Sequence, residues 1–142
     1  MSLLNSAHGG EGWQGRAGTL ADDIGSIWGA AGVTTEVGRL RAVLMHRPGA
    51  ELGRVTDPAP ALWNALIEPE LATHQHDMLA DTYRRLGVEV HYMQPGDAAT
   101  PNLYFARDHF FMTPQGAIMS RMGSAARAGE ERFSAAALAA LG

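Results

Sequence analysis

In the stretch Arg39–His46, RLRAVLMH, the four residues Ala42-Val43-Leu44-Met45 form an uninterrupted apolar run, and Arg47-Pro48-Gly49 ends it at once. Successive side chains of a strand point to opposite faces, so this pattern predicts a strand covered on both sides. Proline removes a donor and glycine permits a turn, which accounts for the stop. From Ala61 to Leu86 the sequence reads as helix, with Leu71, Met78, Leu79, Tyr83 and Leu86 recurring near a 3.6-residue period. Gly87 follows as a helix-terminating residue. Val88–Met93 alternates apolar with polar, the mark of a half-buried strand, and Pro95-Gly96 closes it. Phe110–Met112 and Ala117–Met119 flank Thr113-Pro114-Gln115-Gly116 as a hairpin. Ala128–Leu141 is alanine-rich with Glu130 and Glu131 near its start, which favours helix on propensity and dipole grounds. Strand, helix, strand, hairpin, helix is the order of an α/β protein.

The chain of 142 residues is long enough for one domain with a real core. Residues 1–35 read as a leader, glycine-rich at first. Its segment DDIGSIWGAAG places Ile24, Ile27 and Trp28 on one helical face, so a short docking helix is expected there. Residues 36–142 form the domain proper. Eleven basic against 15 acidic residues give a charge of −4, without the basic surplus that phosphate backbones require, so no nucleic-acid partner is expected. The first residues lack a basic region followed by a long apolar run. No stretch reaches the roughly 18 apolar residues of a membrane helix. The expectation is a soluble, cytoplasmic protein with no membrane partner. Zero cysteines exclude disulfides, thiolate zinc sites and a cysteine nucleophile on this chain.

The most distinctive segment is Pro101-Asn102-Leu103-Tyr104-Phe105-Ala106-Arg107-Asp108. If extended, it turns Asn102, Tyr104, Ala106 and Asp108 one way and Leu103, Phe105 and Arg107 the other. Asn102 and Asp108 would then line one surface, and His109 would face away from it. A carboxylate beside a low-dielectric wall suits a planar cation held by paired hydrogen bonds. The plainer alternative is a structural ion pair between Arg107 and Asp108.

These residues, with HFFMTPQGAIMSRMGSAARAGEER after them, resemble the guanidino-group-modifying enzymes of the pentein fold: arginine deiminases, amidinotransferases and dimethylarginine dimethylaminohydrolases. The strand GRLRAVLMHRPG and the segment HQHDMLADTYRRLGVEVHYM fit the start of that family, so the resemblance covers Glu36 to Gly142. It implies a partial pentein, an α/β propeller built of ββαβ modules. It also implies that Asp108 grips a substrate guanidinium and that Asn102 and Arg127 hold the substrate carboxylate. Leu44 would lie near the substrate channel, and Arg107 would organise the loop. No cofactor and no metal is implied.

The same resemblance implies a cysteine thiolate and a proton-shuttling histidine that lie beyond the region matched here. The expected role is therefore the substrate-binding N-terminal part or subunit of an enzyme acting on a guanidino compound such as arginine, by hydrolysis or amidino transfer. Alone the chain is expected to be inactive, with a second chain or a homo-oligomer completing the fold. The alternative is a non-catalytic pentein binding module. Among the histidines, His74 and His76 stand two apart in a helix and project about 200° apart, too divergent to share a metal. His74, Asp77 and Asp81 read as a solvated polar face, and His46 and His91 as strand-end or polar-face residues.

Overall fold

A computed structural model describes residues 11–30 and 32–142. Strand β1 (Ala42–Met45) pairs in parallel with β2 (Glu89–Tyr92), Ala42 opposite Glu89 and Met45 opposite Tyr92. Between them run the single turn α2 (Ala50–Gly53) and the long helix α3 (Pro69–Arg85). Strands β3 (Phe110–Thr113) and β4 (Gly116–Met119) form a separate antiparallel hairpin, and α4 (Glu131–Leu141) follows. A four-residue helix, α1 (Leu20–Asp23), precedes β1. Helix and strand mixed in this order are the α/β architecture that the patterning predicts.

Most boundaries follow from local chemistry. Helix α3 begins at Pro69, not at Ala61, because proline has no N–H to donate and suits the first turn, while Glu68 accepts from the Glu70 N–H. Before it, Leu62 sits at φ +62°, outside helical geometry. The helix ends as expected at Gly87, whose φ of +76° lets its N–H reach Arg84 O at 2.9 Å and the Val88 N–H reach Tyr83 O at 3.0 Å. The last helix is shorter than Ala128–Leu141, since Gly129 at φ +86° breaks it from the 3₁₀ turn Ala125–Arg127.

One packing expectation is corrected. On α3, Leu71, Met78 and Leu79, with Leu86 just past its end, are exposed, whereas Thr73, His76, Ala80 and Tyr83 are the more buried set, Ala80 fully so. Thr73 Oγ1 donates to Pro48 O at 3.1 Å, and the His76 ring lies 5.9 Å from that of Tyr92. These four positions recur every three or four residues, so a second helical period, less apolar than the first, selects the packed face. Strand β1 is only half-buried, because among the described residues β2 is its one neighbour.

The leader is corrected too. Residues 1–10 and 31 lie outside the described residues; beyond α1, Ile24 is half-buried while Ile27 and Trp28 are exposed. The leader meets the domain through backbone, Gly29 N–H to Gly142 O at 2.9 Å, rather than through an apolar helix face.

The core lies where β1–β2, the segment after β2 and α4 converge. Met93, Leu103 and Ala106 are its buried centre, packed on by Leu44, Ala99, Phe133 and Ala137. Because Leu103 has no exposure, Leu103→Ala should cost about 3 kcal/mol. Leu79→Ala, on the open stripe, should change stability by less than about 0.5 kcal/mol. Urea unfolding of the two variants checks this assignment of faces.

Candidate functional site

The segment after β2 is not extended. Pro101 and Asn102 open a turn closed by Leu103 N–H to Thr100 O and Phe105 N–H to Asn102 O, at 3.1 and 3.0 Å. A 3₁₀ turn, Ala106–Asp108, follows. The alternation expected from an extended chain is therefore replaced by turns that separate Asn102 from Asp108. Asn102 is buried, its Nδ2 donating to Ala61 O at 2.9 Å and its Oδ1 accepting from Trp63 Nε1 at 2.7 Å. It ties the segment before α3 to the motif. Leu103 plugs the core behind it, and Ala106 packs beside Leu103.

Asp108 emerges at the far end, its side chain 36% exposed. Its Oδ2 accepts from Arg127 Nη1 at 2.7 Å. Its Oδ1 has only Arg107 Nη1 at 3.8 Å, too long for a hydrogen bond and from a side chain that is 90% exposed. The ion pair that shapes this turn is thus Asp108–Arg127, and Arg107 does not organise the loop. Leu44, placed by resemblance near a channel, packs against the Met93–Leu103–Ala106 centre.

Arg127 is half-buried in a cage of acceptors. Besides Asp108, its Nε donates to Glu130 Oε2 at 2.8 Å and its Nη2 to Phe105 O at 3.3 Å, while the guanidinium lies over the Phe105 ring. Three of its five N–H groups are therefore engaged by the chain itself. Burial opposes its charge, but the hydrogen bonds to Asp108 and Glu130 outweigh it and hold Arg127 above its ordinary value.

Behind Arg127 stands a group that the patterning missed. Glu130 and His109 are both fully buried, with Ser134 beside them. Glu130 Oε1 accepts from Thr100 Oγ1 at 2.7 Å, and Oε2 lies 3.4 Å from His109 Nε2. His109 Nε2 is also 3.4 Å from Arg127 Nη2, and it cannot both donate to one and accept from the other. A buried carboxylate is the stronger partner, which assigns Nε2–H to Glu130; Nδ1 lies 2.8 Å from Ser134 Oγ, which is also 3.1 Å from Met93 Sδ. Far from facing away, His109 is thus at the centre of the polar cluster, because the 3₁₀ turn swings it inward. The sequence does carry one signal for this group: Ser134 stands four residues after Glu130, the spacing of one helical turn, whereas Arg127 is brought to Glu130 by the turn at Gly129.

Elsewhere, the helix face bearing His74, Asp77 and Asp81 lies beside an open cleft between α2 and α3, where Arg47 binds Asp77 through two hydrogen bonds of 2.7 Å. His46 is buried against Glu51 at 3.0 Å. Among the described residues no helix is long and apolar enough to cross a membrane.

A family model described as N,N dimethylarginine dimethylhydrolase, eukaryotic, matches residues 62–139, more than half of the chain and all of the cluster just described. The chain belongs to that family, within the pentein superfamily of guanidino-modifying enzymes. It is 42% identical over 64 residues to the arginine deiminase of Oenococcus oeni, a stretch that is 44% of this chain and 16% of that protein. It is 48% identical over 61 residues to the arginine deiminase of Rhodococcus erythropolis, covering 42% of this chain and 15% of the relative. The arginine deiminase of Clostridium perfringens is 41% identical over 70 residues, 46% of this chain and 16% of its own length. The matched part of the chain spans only 15–16% of these relatives.

Burial pushes the Glu130 carboxyl up, but the hydrogen bonds from His109, Thr100 and Arg127 prevail and hold it below its ordinary 4.5. A carboxylate held low contributes stability in full above that ordinary value and loses it as pH falls through the folded value. Glu130→Gln should therefore lower the unfolding free energy by about 1–3 kcal/mol at pH 7. That gap should close as the pH is taken below 4.5. Urea denaturation at a series of pH values measures both.

Proposed function

We propose that this chain is the guanidine-binding N-terminal part or subunit of an enzyme that hydrolyses, or transfers the amidino group of, a guanidino compound such as arginine. The observation that carries this is a charge imbalance. Two carboxylates, Asp108 and Glu130, share the single guanidinium of Arg127, and the unpaired oxygen of that set is Asp108 Oδ1, at the exposed end. Arg107 is too solvated to neutralise it. A planar cation placed there completes the pairing, and a guanidinium presents the N–H geometry to do so.

In this reading Arg127 also serves the carboxylate end of an arginine-like ligand, through N–H groups that the chain leaves unused. Asn102 has to leave Trp63 before it can join, so it comes second, and Leu44 contributes to the channel wall only through the core it packs on. The chain carries no cysteine, so the nucleophilic thiolate and the proton-shuttling histidine come from another segment or a partner chain. That thiolate attacks the guanidinium carbon, and one nitrogen leaves with a proton from the histidine. Where the terminal nitrogen leaves as ammonia, water then displaces the thiolate to give a ureido product; where the substituted nitrogen leaves as the substrate's amine, an acceptor amine displaces the thiolate and completes amidino transfer. The α/β elements described here form the first modules of a propeller that the remainder closes. The exposed Phe111–Ile118 pair of the hairpin and the open stripe of α3 are surfaces the remainder would cover.

One observation favours the second reading, a non-catalytic pentein module: Arg127 already occupies one oxygen of Asp108, as a purely structural pair would. Calorimetry separates the two. On the first reading the purified chain binds L-arginine, Asp108→Ala reduces the affinity at least about ten-fold, and no ammonia or ureido product appears. No heat of binding with L-arginine, agmatine or methylguanidine would establish the second, and turnover by the chain alone would contradict both.

A further inference from the structure

The carboxylate that faces solvent is not the one around which this cluster is built. Glu130 is fully buried, and it is engaged by three different parts of the chain: Thr100 before the motif, His109 at the end of the 3₁₀ turn, and Arg127 from the turn before α4. Of the three, Arg127 alone reaches on to Asp108. Without Glu130, a long arginine side chain has many rotamers from which to meet Asp108, and can take both of its oxygens as a bidentate pair. With Nε fixed on Glu130 Oε2, the guanidinium plane is set, Nη1 falls on Oδ2 alone, and Oδ1 is left outward.

We propose that Glu130 is a positioning residue for guanidine recognition. By clamping Arg127 it prevents closure of Arg127 over both Asp108 oxygens, and so keeps Oδ1 open for a ligand guanidinium. This rests on the reading of Asp108 as the guanidine acceptor. Thr100 and His109 supply the remaining bonds to the clamp. The 2.7 Å Thr100 bond fixes Oε1, and His109, itself held by Ser134 at 2.8 Å, fixes the other side of the carboxylate. The arrangement separates two tasks that one acidic residue performs poorly. The buried carboxylate fixes geometry where water cannot compete, and the half-exposed one meets the ligand.

The test uses the whole chain titrated with L-arginine in a calorimeter, alongside the Nε–H resonance of Arg127 in ¹⁵N–¹H spectra. The expected result for Glu130→Gln is a loss of affinity of about ten-fold, with the Arg127 Nε–H exchanging faster with water. Thr100→Val, which removes one bond of the clamp and keeps the shape, should show the same two changes at a smaller scale, about three-fold in affinity. It decides the matter if the Gln variant does not fold. Affinity and exchange unchanged in these variants, while Asp108→Ala loses binding, would overturn the role of Glu130 and leave the site standing. Wild-type affinity in Asp108→Ala as well would overturn the site, and the clamp with it.

Discussion

A carboxylate with no access to water has to be compensated by the chain around it, and much of this molecule is arranged to compensate Glu130. Three donors reach it from sequence positions up to thirty residues away. Their convergence fixes the turn after β2, the orientation of His109 and the approach to α4 in one step. Removing any one donor leaves the carboxylate short of a partner in a medium of low polarity, where the cost is greatest. The apolar centre of Met93, Leu103 and Ala106 lies directly alongside, so the packing that excludes water from the core also strengthens these polar contacts.

The elements whose form is governed by local chemistry were legible in the sequence. The apolar run of β1, the glycine end of α3, the alternation of β2 and the Pro-Gln turn of the hairpin each carry their cause within a few residues. The motif segment was not legible, because side-chain alternation presupposes an extended backbone. Pro101-Asn102 opens a turn instead, and a 3₁₀ turn then rotates His109 from the expected outer face to the interior. The packed face of α3 does not follow its most apolar residues: Leu71, Met78 and Leu79 are exposed, while Ala80 is fully buried, Thr73 bonds to Pro48 O and the His76 ring lies 5.9 Å from that of Tyr92.

Family membership and geometry bear on different parts of the functional reading. The region matched by the family model contains Asn102, Asp108, Arg127 and Glu130 together, and relatives bearing the name arginine deiminase are similar to the chain over 61 to 64 residues. The geometry then distinguishes among these residues. Asp108 is the one with an open oxygen, Arg127 is shared between two carboxylates, and Asn102 is engaged with Ala61 and Trp63. The sequence itself contains no cysteine.

The central claim is that a buried Glu130–Arg127 pair leaves one oxygen of Asp108 to a guanidinium. A crystal structure of the chain with L-arginine bound tests it most directly. The expected result is the ligand guanidinium within hydrogen-bonding distance of Asp108 Oδ1, with Arg127 still on Oδ2 and on Glu130. Ligand density elsewhere on the molecule, or Arg127 closed over both oxygens of Asp108, would contradict it.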